Sequence, residues 1–196
     1  MLKPVRRVVT GHNERGRSVI IYDGITPTVH SSSDWPTRGV TLIWGDDRMP
    51  ATNKGNALAE DHMALGPIPP GATGASFMIM HLPPESESDA MTPEVRARVT
   101  IPVARTFPGA FELDNSRGYG MHGTDTVDYI VILSGEVSLL VDEGEVTLKA
   151  GDTVIQRGVN HGWINRGKEV CLVAAVAIKA EPISREAYGL PQRGTQ

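Results

Sequence analysis

The sequence predicts an all-β fold, a small sandwich or barrel, and three observations predict it. Between residues 119 and 180 short apolar runs recur with turn residues between them, and strands at ~8–12-residue spacing build such folds. The 21 glycines and 14 prolines are spread along all 196 residues, where they interrupt helices. His122, Thr124, Thr126 and Asp128 recur at every second position and Ile130 and Ile132 continue the series, which puts all six on one face of a strand.

The length suits one domain, read in four stretches: an arm and first barrel strands over 1–84, a long connection over 85–118, a barrel core over 119–180, and a tail over 181–196. In the first stretch, Arg7–Thr10 and Ser18–Tyr22 are expected strands around the turn Asn13-Glu14-Arg15-Gly16. Thr41–Trp44 and Ser76–Leu82 are two more, with Gly45 to Gly74 as an ordered loop. In the connection, Thr92-Pro93-Glu94 combines a capping Thr, Pro at the first helical position and an early acid, so a short helix should start there and stop before Pro102. A connection this long in a compact barrel reads as a lid, an interface arm or a mobile segment. The core then offers Val127–Leu133, Gly135–Val141, Val146–Lys149, Thr153–Gln156, His161–Asn165 and Val170–Ile178 as strands.

Composition excludes several functions. The formal net charge is -4 with Lys and Arg dispersed, so the basic patch that nucleic-acid binding needs is not expected. No run approaches the ~18 apolar residues of a membrane span, and no apolar stretch follows the basic Met1 to Thr10 as a secretory leader requires. A cytoplasmic protein is expected. The single cysteine, Cys171, lies in an apolar run and reads as a buried structural thiol.

The candidate site comes from parity. His122, Thr124, Thr126 and Asp128 share one strand face with Ile130 and Ile132, and His161, Trp163 and Asn165 share another. Polar residues turned into a small barrel must be hydrogen-bonded or metal-bound. Two histidines and a carboxylate suit a divalent first-row metal with open positions. Tyr129 has the opposite parity and should face away. His81 lies on the apolar strand Phe77 to Leu82 and reads as a satisfied core histidine, with a replacement ligand as the alternative.

The stretches HGTDTVDYIVILSG (122–135) and GDTVIQRGVNHGWIN (151–165) resemble the two motifs of the cupin superfamily. The match falls on His122 and Gly135 in the first, and on Gly151, His161 and Asn165 in the second. The overall layout is similar to a group of small bacterial and fungal single-domain cupins with a strand-rich N-terminal arm. That resemblance implies a double-stranded β-helix (jelly-roll) barrel and a homodimer, with the arm a candidate to cross to the partner. It also implies metal-assisted lyase, isomerase, decarboxylase or oxygenase chemistry on a small organic acid, ketone or aromatic-derived metabolite. Thr124 stands where the family has a second metal-binding histidine, Asp128 where it has Glu, and Arg157 where it has the turn Pro.

Two readings stay open on these residues. His122, Asp128 and His161 hold a divalent ion such as iron, zinc, manganese or nickel and carry the chemistry, with Thr124, Trp163 and Asn165 orienting groups around them. Otherwise the ion is lost and the same residues act as acid, base and donors. A binding protein with a pocket and no turnover is the competing function.

Overall fold

The structure is a computed structural model that describes residues 1–53, 73–99, 110–112, 116–118 and 120–183. Most of the loop expected over Gly45 to Gly74, part of the 85–118 connection and the tail from 184 onward lie outside the described residues. Thirteen strands and two short helices follow in order among the described residues. They are β1 (Arg6–His12), β2 (Ser18–Ile25), β3 (Val29–Ser32), β4 (Trp35–Asp46), β5 (Ala75–Leu82), α1 (Glu85–Asp89), α2 (Pro93–Val99) and β6 (Ala110–Glu112). Then come β7 (His122–Thr124), β8 (Thr126–Ser134), β9 (Glu136–Val141), β10 (Gly144–Lys149), β11 (Thr153–Arg157), β12 (His161–Ile164) and β13 (Cys171–Lys179).

All pairings are antiparallel. A six-stranded sheet runs β11-β8-β13-β5-β4-β3, a five-stranded sheet runs β10-β9-β12-β7-β6, and β1-β2 stand apart as a ribbon. The two larger sheets are the two layers of a jelly roll. Their inward faces meet in one core: Leu42, Met78, Ile130, Ile132 and Val173 from the six-stranded sheet, and Val137, Leu139 and Leu148 from the other. Period-2 burial along β13, where residues 171, 173, 175 and 177 are buried and those between are not, is what the sequence pattern asks of a strand with one wet face.

Local chemistry sets the turns. Asn13 Oδ1 accepts from the Arg15 and Arg17 amides at 3.0 Å each and closes the β1–β2 turn. Between β8 and β9, Gly135 has φ +75°, and a Cβ there would meet the Cys171 backbone at 3.1 Å. Only glycine satisfies both demands. The Thr92 hydroxyl accepts from the Val95 amide at 3.4 Å as the expected cap of α2. Helix α1 and strands β3 and β6 are additions to the sequence expectation.

Cys171 is a free, fully buried thiol, and burial pushes it up to about 11, so it packs as a small apolar group. No helix among the described residues is long and apolar enough to cross a membrane.

Candidate functional site

Two cross-strand pairs build the site. His122 on β7 stands opposite His161 on β12 in the five-stranded sheet. Asp128 on β8 stands opposite Gln156 on β11 in the six-stranded sheet. Directly opposed residues of an antiparallel pair place their side chains on the same face, so each pair enters the barrel together.

The chain itself joins the pairs. The strand expected to be continuous from His122 to Asp128 breaks at Asp125, where β7 leaves one sheet and β8 enters the other. Inward parity survives the corner: His122, Thr124, Thr126, Asp128 and Ile130 all line one cavity of about 170 Å3. The Thr124 and Thr126 hydroxyls bridge the corner at 2.7 Å. Tyr129 faces outward and is half exposed.

The imidazole tautomers follow from their partners. His122 Nδ1 lies 2.8 Å from the Gly120 carbonyl oxygen and His161 Nδ1 lies 3.0 Å from that of Val159. A carbonyl only accepts, so Nδ1 of each neutral ring carries the proton and Nε2 carries the lone pair. The rings stand 4.3 Å apart, tilted by 50°. Gln156 donates from its amide nitrogen to Asp128 Oδ2 at 2.9 Å and to His161 Nε2 at 3.0 Å. His161 is thereby spoken for, while His122 Nε2 has no hydrogen bond among the described residues.

Burial sets the charges. Burial first, then the neighbouring His122, brings His161 down to about 3. Burial, with the nearby Arg38 charge, also holds His122 below the usual imidazole range against the Gly120 bond. Burial lifts the Asp128 carboxyl above the usual range, opposed by hydrogen bonds from Thr126 and Gln156. Burial thus favours the uncharged form of both imidazoles and of the carboxyl between the two sheets.

Three expectations need correction. First, His122, Asp128 and His161 do not fit a shared ion: among the described residues no group of three His, Cys, Asp or Glu side chains is placed to hold a metal. The physical reason is Gln156, whose two amide hydrogens point at the Asp128 oxygen and the His161 nitrogen that an ion would need. Second, Asn165 is not a pocket residue. It donates to the Leu82 and Glu169 carbonyls at 2.7 and 2.8 Å and accepts from the Gly167 amide at 2.8 Å, which makes it the organiser of the turn before β13. Third, His81 is buried but not satisfied, since its Nε2 has no partner among the described residues. It shares the parity of Phe77 and Ile79 and stands opposite Leu172 and Gly39, so its side chain faces out of the barrel, away from Met78 and Met80. Trp163 does line the cavity.

Sequence reasoning missed Gln156 and Arg38. A signal for the first was present: Gln156 shares parity with Val154 on a short strand, and a polar residue there is out of place in a purely apolar core. Arg38 lies in the first half of β4, where Pro36, Arg38 and Gly39 hid the strand.

The comparison with known proteins agrees with this architecture. Residues 112–177 match the family described as the cupin domain. Over that third of the chain the sequence resembles a cupin domain. Its cupin motifs fall inside that segment, including all four residues of the two cross-strand pairs. The chain is similar to phomopsin biosynthesis cluster protein C' of Diaporthe leptostromiformis, 45% identical over 65 residues, or 32% of this chain and 34% of that protein. It is also similar to oryzines biosynthesis cluster protein J of Aspergillus oryzae, 42% identical over 64 residues, or 32% and 36%. The match thus spans about a third of the length of these relatives. Among solved structures, a protein with a double-stranded β-helix domain from Klebsiella pneumoniae aligns over 78% of this chain and 84% of its own, at 15% identity and a TM-score of 0.41.

Proposed function

We propose that this cupin barrel is an enzyme site for a small organic metabolite and works by acid–base chemistry, with His122 Nε2 as the base and the Asp128 carboxyl as the acid. The observation that carries the reading is the division of labour made by Gln156. It engages His161 and one Asp128 oxygen, and leaves a neutral His122 facing the cavity with its lone pair unused. Burial lowers the proton affinity of His122 and raises that of Asp128, and both shifts favour a neutral base beside a carboxylic acid.

The reaction class that suits this pair is proton transfer beside a carbonyl, as in an isomerase or a lyase. His122 Nε2 takes a proton from the carbon next to the carbonyl, and the electron pair moves onto the carbonyl oxygen. Asp128 gives its proton to that oxygen, and the neutral enol results. The enol oxygen then returns its proton to Asp128 while His122 delivers its proton to a different carbon, or to a leaving group as its bond to carbon breaks, and both residues are restored. The relatives named for biosynthesis clusters support a metabolite as substrate. A binding protein without turnover is the second reading, favoured by the fact that Gln156 already occupies half of the polar groups.

One experiment separates them. The protein in D2O is incubated with 2-oxobutanoate, 3-methyl-2-oxobutanoate and cyclohexanone, and proton NMR follows exchange at the carbon beside the carbonyl. Protein-dependent exchange is expected, and His122→Gln should slow it by about 10²–10⁴-fold. Exchange that survives in His122→Gln removes the base assignment. Absence of exchange on all three carbonyl compounds leaves the binding reading.

A homodimer is proposed on one further feature. Tyr129, Val131, Leu133 and Ile155 are exposed together on the outer face of the six-stranded sheet, and contiguous apolar patches mark interaction surfaces. Light scattering should give twice the chain mass, reverting toward one chain in Leu133→Glu. A single-chain mass for the parent protein removes the proposal.

A further inference from the structure

We infer that Ala175 and Ala177 are the seat of the ligand, and that they select a compact ketone whose body is hydrocarbon. The inference rests on the reading of the cavity as an enzyme site for a small metabolite. It deepens that reading by naming the residues that set specificity and the class of substrate.

Register places the seat. Strand β13 lies between β8 and β5 in the six-stranded sheet. Ala177 stands opposite Asp128 on β8, and Ala175 stands opposite Ile130 on β8 and Met78 on β5. These pairings lie in the regular part of the ladder, away from its irregularity at Leu172 and Val173. Directly opposed residues share a face with their Cβ atoms ~4.5–5.5 Å apart. A group resting on the Ala177 methyl therefore lies beside the Asp128 carboxyl. His122 reaches the same cavity from the five-stranded sheet. Side-chain size along β13 explains why space opens at this place. The inward column reads Cys171, Val173, Ala175 and Ala177, all buried. Val173 is packed between Ile132 and Met80, whereas the two alanines line the cavity. Facing sheets stand ~10 Å apart and interiors are close-packed, so a methyl among longer neighbours leaves room above it.

Ligand chemistry follows from what borders the seat. Around the two alanines stand Ile130, Met78, Met80 and Val40, whose side chains are hydrocarbon and thioether. A polar group placed among them would lose its water and gain no partner of comparable strength. The ligand's polar group belongs instead at the end of the seat where Asp128 and His122 converge. A ketone matches that end: its oxygen accepts from a protonated Asp128, and the C–H beside its carbonyl meets the His122 Nε2 lone pair. Size limits the body. A cavity of about 150 Å3 holds a benzene molecule, and this one is about 170 Å3. About six to nine heavy atoms in all, roughly one five- or six-membered ring bearing the carbonyl, is the range that fits.

The test uses matched probes on the full chain: cyclopentanone, cyclohexanone and tetrahydropyran-4-one, titrated by ligand-observed proton NMR. The last is the cyclohexanone ring with an oxygen in place of the CH2 opposite the carbonyl. Cyclohexanone should bind at least about 10-fold more tightly than this oxygen analogue. Ala177→Val should weaken cyclohexanone by at least about 10-fold, the scale of one methylene in an apolar pocket, and cyclopentanone by less. Its urea midpoint should stay at or above that of the parent, because the added methyls enter open space. Ala175→Val, with the same two readouts, is the second variant. Equal binding of the two six-membered rings, cyclohexanone affinity unchanged in both valine variants, or binding of none of the three ketones overturns the assignment. Weaker binding that comes with a lowered urea midpoint in both variants also overturns it, since the alanines are then ordinary core packing. Failure here is distinguishable from failure of the acid–base reading. Selective ketone binding without carbon–hydrogen exchange keeps the seat and removes the chemistry. Exchange on cyclohexanone that is lost in His122→Gln but unaltered in both valine variants does the reverse.

Discussion

Acidification from pH 6.5 to pH 4 will unfold this protein's barrel more readily, and His161 will be the largest single cause. Its ordinary value is 6.5 and the folded barrel holds it at about 3. Between those limits the unfolded chain binds a proton that the native state refuses, so stability falls as pH falls, by ~1.4 kcal/mol per pH unit. The loss from His161 alone is on the order of 3 kcal/mol at pH 4. His122, shifted in the same direction, adds to it. Asp128 acts with the opposite sign. Its folded value is raised, so the native state takes up a proton before the unfolded chain does, and this offsets part of the loss near the acid end. Urea unfolding at pH 7.5, 6.5, 5.5 and 4.5 measures the slope. His161→Gln should flatten it. A slope unchanged in that variant would place the acid sensitivity elsewhere.

The second large effect belongs to Gln156. Replacing it with leucine keeps the volume and removes the amide. Asp128 Oδ2 and His161 Nε2 then lose their shared donor in a place largely shut from water. Leaving a buried acceptor unpaired costs about 1–3 kcal/mol, so Gln156→Leu should lose about 2–5 kcal/mol in urea unfolding. Gln156→Glu asks a different question of the same spot. It replaces the amide nitrogen and its two donor hydrogens with one acceptor oxygen between a carboxyl and an imidazole, and that ligand set suits zinc. Zinc measured by elemental analysis after dialysis should rise over the parent protein. A leucine variant within 0.5 kcal/mol of the parent, together with no gain of zinc in the glutamate variant, would mean that the amide does not organise the site.

The strands of the barrel core were legible because their two periodicities agree. Apolar alternation and turn residues coincide over 126–179, and the expected strands there end within about two residues of the observed ones. Parity alone also placed His122, Thr124 and Asp128 in one pocket. What stayed hidden depends on facts that no single strand carries. The ligand-like trio His122, Asp128 and His161 looks complete until the register of β11 on β8 puts Gln156 opposite Asp128. Asn165 shares parity with His161, but β12 ends at Ile164 and parity has no meaning beyond a strand's end. His81 is buried although it points out of the barrel, and burial of an outward residue comes from what covers the sheet. Strand β3 escaped notice because all four of its residues are exposed and two are serines.

The corner at Asp125 gives the pocket a mechanical character. One unbroken stretch of seven residues, 122 to 128, supplies part of both walls. The sheets cannot separate there without bending that stretch, and bending it pulls the base away from the acid. Such a pocket has alignment instead of adaptability on its reacting side. Room to adapt lies on the opposite wall, where Met78 and Met80 have unbranched side chains that repack around different shapes. Descendants of this barrel with new ligands would then be expected to change at the methionine wall, with the polar stretch at the corner left as it is.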